Sequence, residues 1–176
     1  LLGKPYLPGV RPTRARLPQN LKVLEVGTGS GCIAITLKLE APELEIVATD
    51  ISEKALEVAK RNNSKFNTKI KLEKSDLLEN VTFSPDLVIA NLPYVDRKWE
   101  WIDEEALSYE PSVALYAENH GLELIYKLIT QTARHDICNL ILEADPCQHG
   151  DITKFAKDNG YSLDEKRGFI LYYTKQ

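Results

Sequence analysis

Ten residues constrain this chain more than any others: Lys22-Val23-Leu24-Glu25-Val26-Gly27-Thr28-Gly29-Ser30-Gly31. The short apolar run predicts a buried strand, three glycines at alternating positions follow without a break, and Cys32-Ile33-Ala34-Ile35-Thr36-Leu37 reads as a helix. Glycine lacks a Cβ, so the turn can take positive φ and let a ligand come close to the backbone. The first N–H groups of the helix have no partner inside it and can face the same ligand. A glycine-rich turn at the carboxyl end of a first strand is the geometry that holds nucleotide-bearing ligands.

The spacing narrows the ligand. A dinucleotide fingerprint, G-x-G-x-x-G, would need its third glycine at position 32, where this chain has Cys32. Gly27, Gly29 and Gly31 give G-x-G-x-G instead, preceded by the acidic Glu25 and followed by Asp50 at the end of the next strand. That set resembles motif I of the class I methyltransferases, which use S-adenosylmethionine.

Along the chain, residues 1–20 carry four prolines and two glycines and read as an extended lead-in, with 21–176 as one catalytic domain. Strands are expected at Lys22–Val26, Glu45–Thr49, Lys69–Glu73, Asp86–Ala90 and Cys138–Glu143, and a terminal hairpin at about 161–166 and 168–174. Helices are expected from Gly31 to about Leu39, after a Ser52 N-cap to about Lys65, from about Gly121 to Arg134, and over Asp151–Asn159 before Gly160. Alternating strands and helices predict an α/β fold, here a Rossmann-like, mostly parallel seven-stranded sheet with a C-terminal antiparallel hairpin.

In such a sheet, ligands bind beyond the carboxyl ends of the strands. Four features fall there: Gly27–Gly31 after strand one, Asp50 after strand two, Ser75-Asp76-Leu77 after strand three and Asn91-Leu92-Pro93-Tyr94 after strand four. Asp50, 19 residues past Gly31, can accept bonds from both ribose hydroxyls, or cap the following helix. Asp76 can accept from an adenine amino group with Leu77 packed on the ring, and Glu25 can face the positive methionine end. Thr28 and Ile51 complete the expected cofactor-binding set, together with Asn91.

Asn91–Tyr94 is the sharper signal. Methyl transfer to a planar NH₂ group is difficult because the nitrogen lone pair is delocalised. The Asn91 side-chain oxygen and the Leu92 carbonyl can accept from the two NH₂ hydrogens and favour charge building on nitrogen, Pro93 fixes the turn, and Tyr94 stacks on the flat group. This is electrostatic preorganisation with proximity rather than strong base catalysis. Asn-x-Pro-Tyr could also be a plain turn.

From about residue 22 to 174 the chain resembles the HemK family, methyltransferases that modify the glutamine side-chain amide in the Gly-Gly-Gln motif of peptide-chain release factors. The resemblance rests on V-L-E-V-G-T-G-S-G-C-I-A-I (23–35), A-T-D-I-S-E-K-A-L-E-V-A-K-R-N (48–62), S-D-L-L (75–78) and N-L-P-Y-V (91–95). It continues through Tyr109-Glu110-Pro111, Ala114-Leu115 and Gly121-Leu122. It implies S-adenosylmethionine as cofactor and a release factor as protein partner, while the cysteine usage makes a cytoplasmic location the default expectation. Three departures stand out. Leu92 replaces the first proline of Asn-Pro-Pro-Tyr, so the turn is also similar to that of ribosomal RNA adenine dimethyltransferases, and RNA remains an alternative substrate. Ala117-Glu118-Asn119-His120 stands where the family has Gly-Gly-x-Asp. The family's helical amino-terminal domain has no counterpart, and Arg11-Pro12 is a weak echo of its Pro-Arg-Pro segment.

Composition sets the remaining bounds. Lys4, Arg11, Arg14, Arg16 and Lys22 give residues 1–24 a charge of +5, leaving −9 for the rest of a chain whose net charge is −4. The stretch 97–118 has two basic and six acidic side chains, a poor surface for RNA phosphates. The three cysteines suggest no disulfide framework, and no apolar run is long enough to span a bilayer. The chain contains no methionine, which suggests a piece starting mid-protein or unrepresented modified residues. Asp145, Cys147 and His149 alternate beside Pro146 in a loop pattern, and no metal is expected there. Trp99 and Trp101 read equally as a substrate platform or as packing. A cofactor-binding interaction module without catalysis is the non-enzymatic alternative, supported by Leu92 alone.

Overall fold

The computed structural model describes residues 20–96, 99 and 118–176. Seven strands form one sheet: β1 (Lys22–Val26), β2 (Glu45–Asp50), β3 (Lys71–Lys74), β4 (Leu87–Ala90), β5 (Asn139–Glu143), β6 (Tyr161–Arg167) and β7 (Ile170–Lys175). Their order is β3-β2-β1-β4-β5-β7-β6, with β7 antiparallel to both of its neighbours and every other pair parallel. The helices among the described residues are α1 (Cys32–Glu40), α2 (Glu53–Phe66), α3 (Glu118–Gly121), α4 (Glu123–Arg134) and α5 (His149–Asp158). The α/β sheet with a terminal hairpin is as the sequence predicts. Residues 1–19 of the lead-in segment, Trp101 and Tyr109–Leu115 lie outside the described residues.

The strand residues divide by face, as the alternation of strand side chains requires. Leu24 and Val26, Val47, Val88 and Ala90, and Leu140 and Leu142 share one core with Ile125, Leu128 and Ile129 of α4 and with Ile152 and Ala156 of α5. On the opposite face Val23, Ile46 and Ala48 pack with Ala34 and Ile35 of α1. Leu128 and Ile129 are fully buried, each contributing on the order of 1.5–3 kcal/mol of transfer free energy. No helix among the described residues is long and apolar enough to cross a membrane.

Several boundaries differ by one or two residues from the sequence reading, three of them as follows. β3 starts at Lys71 rather than Lys69 because Lys69 takes φ +57°, which no strand residue can hold. The helix expected from about Gly121 starts at Glu123 as α4, because Gly121 takes φ +80°, and the short α3 that precedes it is not anticipated by the sequence. α5 begins at His149, two residues early, after Gln148, which is already in the αR conformation. Ser52 caps α2 as expected, its hydroxyl accepting from the Ala55 N–H at 3.3 Å.

The chain runs outward from β1 to β3 and then returns to β4 on the other side of β1. The crevice of an open α/β sheet lies at such a reversal, beyond the carboxyl ends of the two central strands. Val26 pairs with Ala90 across that divide, so Gly27 and Asn91 leave the sheet side by side. Val26 also pairs with Thr49, and Ala90 with Leu142, which brings Asp50 and Glu143 to the same edge.

Candidate active site

Residues Gly27, Gly29 and Gly31 all take positive φ (+72°, +56° and +82°). At Gly27 the absence of a side chain has a second cause: a Cβ there would come within 2.9 Å of Leu92 Cδ2. The glycine turn thus lies directly against the Asn91-Leu92 turn. A Cβ on Gly29, by contrast, would meet nothing within 4 Å, so that part of the turn borders open space. The Gly31 N–H closes the loop on the Thr28 carbonyl at 2.8 Å.

Glu25 lies beneath this loop, 2% exposed. Its Oε2 accepts from the Thr28 hydroxyl at 2.6 Å and from the Ala34 N–H at 3.1 Å, fastening the loop to the first turn of α1. Burial pushes the Glu25 carboxyl up to about 7, against the pull of those two bonds, and the charge of Asp50 adds to the rise. Thr28 turns inward as well: its hydroxyl goes to Glu25 and its N–H to the Thr49 carbonyl at 2.9 Å, so both donors are used within the fold.

Asp50 stands at the end of β2 with its two oxygens turned to different backbone donors. Oδ2 accepts from the Gly29 N–H at 2.9 Å and Oδ1 from the Ser52 N–H at 2.8 Å. A carboxylate has about four lone-pair sites, so each oxygen retains acceptor capacity for a hydroxyl. The capping alternative belongs to Ser52, not Asp50. Ile51, next in the chain, is 63% exposed, a large apolar side chain beside a carboxylate at the crevice rim.

Asp76 lies after β3 as expected but has a partner the sequence does not announce, and Leu77 points away from where it was expected. Asp76 Oδ2 receives Lys127 Nζ of α4 at 2.7 Å, and the same ammonium reaches Glu79 at 3.1 Å. Leu77, at φ +49°, sends its side chain into the core, 6% exposed, so it offers no apolar face for a ring to pack on. Of the two apolar candidates, only Ile51 presents its side chain to the rim.

At the end of β4, Asn91 is exposed and Leu92 is 5% exposed in the core. Tyr94 is half-buried and held at both ends. Its hydroxyl donates to Glu143 Oε1 at 3.1 Å, and its carbonyl accepts from Gln148 Nε2 at 2.8 Å. Burial, then the Glu143 carboxylate, pushes the Tyr94 hydroxyl up to about 12. Gly121 is pressed against the same carbonyl, where a Cβ would lie 2.0 Å from the oxygen. Asp96, also buried, contacts His120 Nδ1 at 2.7 Å.

Glu143, Gln148, Lys127 and the Asp96–His120 pair are not singled out by the sequence. Position was the available signal for two of them: Glu143 ends β5 and Gln148 follows it, at the strand ends where the other four features lie. Among the described residues, no three His, Cys, Asp or Glu side chains gather to hold a metal ion. Asp145 instead accepts from the Cys147 N–H at 2.9 Å, and His149 Nε2 lies 3.1 Å from the Ala144 carbonyl.

Comparison with known proteins adds independent findings. The family model described as methyltransferase small domain matches residues 13–106. The bifunctional methyltransferase of Rickettsia prowazekii is 38% identical over 153 residues, which are 83% of this chain and 29% of that protein. The release factor glutamine methyltransferase of Enterococcus faecalis is 41% identical over 114 residues, 64% of this chain and 41% of that protein. The chain therefore spans less than half the length of these relatives. Among solved structures, magnesium protoporphyrin IX methyltransferase from Synechocystis PCC 6803 with bound SAM superposes with a TM-score of 0.63 at 21% identity, covering 89% of this chain and 71% of that one.

Proposed function

The chain belongs to the methyltransferase small-domain family, and from that premise we propose that it binds S-adenosylmethionine and transfers its methyl group to the side-chain amide of a protein glutamine, in the Gly-Gly-Gln motif of a release factor. The observation that carries this reading is the juxtaposition of the Gly27 turn with Asn91-Leu92 at the reversal between β1 and β4. One turn is suited to a nucleoside-bearing cofactor and the other to a planar NH₂ acceptor, and they touch.

The residues fit the cofactor. Asp50 offers carboxylate lone pairs for ribose hydroxyls, Ile51 presents apolar surface for adenine, and the Gly29 side of the loop is open for close approach of the methionine portion. Asp76 remains the candidate acceptor for the adenine amino group through the oxygen that Lys127 does not hold. Glu25 and Thr28 serve from beneath, by fixing the loop. The cofactor, when bound, supplies an electrophilic methyl group on a sulfonium.

On the acceptor side the chain's own groups do the rest. The Asn91 amide oxygen and the Leu92 carbonyl accept from the two amide hydrogens, orienting the nitrogen and stabilising the positive charge that develops on it. Tyr94 provides the flat surface, its ring orientation fixed by Glu143. Support for glutamine over an adenine base comes from the relative named a release factor glutamine methyltransferase and from the acidic stretch 97–118, which would repel phosphate.

The test is to supply labelled S-adenosylmethionine with a release factor and, separately, with ribosomal and transfer RNA. Label in the release factor, abolished by replacing the Gly-Gly-Gln glutamine, is the expected outcome. Label in RNA alone would overturn the acceptor assignment.

A further inference from the structure

Gln148 is 4% exposed and belongs to none of the features already given a role. Its side-chain amide is fully engaged. Both hydrogens of Nε2 are spent on backbone carbonyls, that of Tyr94 at 2.8 Å and that of His120 at 2.9 Å. Its Oε1 accepts from the Asp145 N–H at 3.2 Å, and its own N–H donates to the Asp145 carbonyl at 2.9 Å. One buried side chain therefore fastens three segments that are remote in sequence: the Asn91–Tyr94 turn, α3 and the loop after β5.

The neighbourhood leaves this turn few other positions. Gly121 packs so tightly on Tyr94 that a Cβ would lie 2.0 Å from its carbonyl oxygen and 2.7 Å from Gln148 Nε2. The Tyr94 hydroxyl is held by Glu143 from β5, and Asp96, two residues on, meets His120 of α3. Asn91 and Leu92 present their acceptor oxygens from the same short turn, so a shift at Tyr94 is passed to both. A misplacement of about 1 Å in a reacting geometry can cost about 10²-fold in rate.

We propose that Gln148 is a positioning residue for the acceptor, setting the Asn91–Tyr94 turn through the Tyr94 carbonyl and tying it to α3, with no part in holding the cofactor. The proposal rests on the reading of Asn91–Tyr94 as the acceptor turn. It separates the crevice into a cofactor half, built on the β1 and β2 ends, and an acceptor half, built on the β4 and β5 ends and locked by one amide.

Gln148→Met keeps the volume of the side chain and removes all three of its hydrogen bonds. Gln148→Ala gives a second variant, opening room for water on the same carbonyls. With a Gly-Gly-Gln peptide as acceptor, kcat/KM should fall by about 10²-fold in Gln148→Met, while the dissociation constant for S-adenosylmethionine, read by calorimetry, stays within about twofold of wild type. Unchanged transfer, or parallel losses in transfer and cofactor affinity in both variants, would overturn the proposal. A second readout needs no acceptor. In protein labelled with ¹³C-tyrosine, the Tyr94 ring signal is identified by its loss in Tyr94→Phe. It should shift and broaden in Gln148→Met, and an unmoved signal refutes the positioning role. Wild-type protein that leaves the peptide unmethylated, yet shows the Tyr94 shift on substitution, would sink the acceptor assignment and leave the positioning role standing.

Discussion

Substituting Glu25 by Gln should make the protein more stable at neutral pH and leave it nearly unchanged in acid. Burial holds the Glu25 carboxyl near 7 in the fold, against an ordinary value of 4.5. A raised acid pKa means that the folded state keeps a proton that the unfolded chain has already released. Well below pH 4.5 both states are protonated and the group costs nothing. As pH rises toward 7 the unfolded chain alone ionises, so stability falls; beyond 7 the penalty is complete. At about 1.4 kcal/mol per tenfold change, the gap is worth about 3 kcal/mol. The amide introduced by Glu25→Gln stays neutral throughout and retains an oxygen for the Thr28 hydroxyl and the Ala34 N–H, so the wild type's loss should be absent from the variant. Thermal unfolding of both proteins from about pH 4.5 to about pH 8 reads this as a Tm difference that grows by roughly 6–12 °C in favour of Glu25→Gln. Groups common to both proteins cancel in that difference. A constant offset across the whole range would refute the claim that the fold buries this carboxylate at a cost.

Three further substitutions probe other contacts. Asp50→Ala should weaken S-adenosylmethionine binding by about 1.5–3 kcal/mol, the worth of hydrogen bonds to a charged group, as read by calorimetry. Gly121→Ala combines φ +80° with a Cβ 2.0 Å from the Tyr94 carbonyl, so urea unfolding should show a loss of about 4 kcal/mol or more. Leu92→Pro keeps the carbonyl of the turn but empties the space against Gly27 that Leu92 Cδ2 fills; urea unfolding should show stability lower by about 1–3 kcal/mol while methyl transfer persists.

Much of the frame was legible because it depends on local pattern. The apolar run of β1, the glycines after it, the Ser52 cap and the apolar spacing of α4 each declare themselves within a few residues. What was not legible depends on side-chain direction. Leu77 was expected to face a ligand, but its φ of +49° turns the side chain into the core, and no propensity argument forecasts a left-handed leucine. Thr28 and Glu25 sit in the right loop yet bond to each other, because a buried carboxylate needs donors and Thr28 is the nearest. Gln148 stayed hidden because its partners are backbone carbonyls 54 and 28 residues away, and a lone glutamine in a loop announces nothing. The start of α4 at Glu123 rather than Gly121 goes with Gly121 at φ +80° pressed against Tyr94, a tertiary contact that local pattern does not announce.

The central claim is a division of labour: the Gly27 turn and Asp50 hold the cofactor, and Asn91 acts on the acceptor. Measuring the cofactor dissociation constant and the transfer rate side by side in Asn91→Ala tests it most directly. The expected result is cofactor affinity within about twofold of wild type with transfer lower by about 10² or more, as when one preorganised polar partner of a developing charge is removed. Equal losses in affinity and rate would place Asn91 on the cofactor and contradict the account.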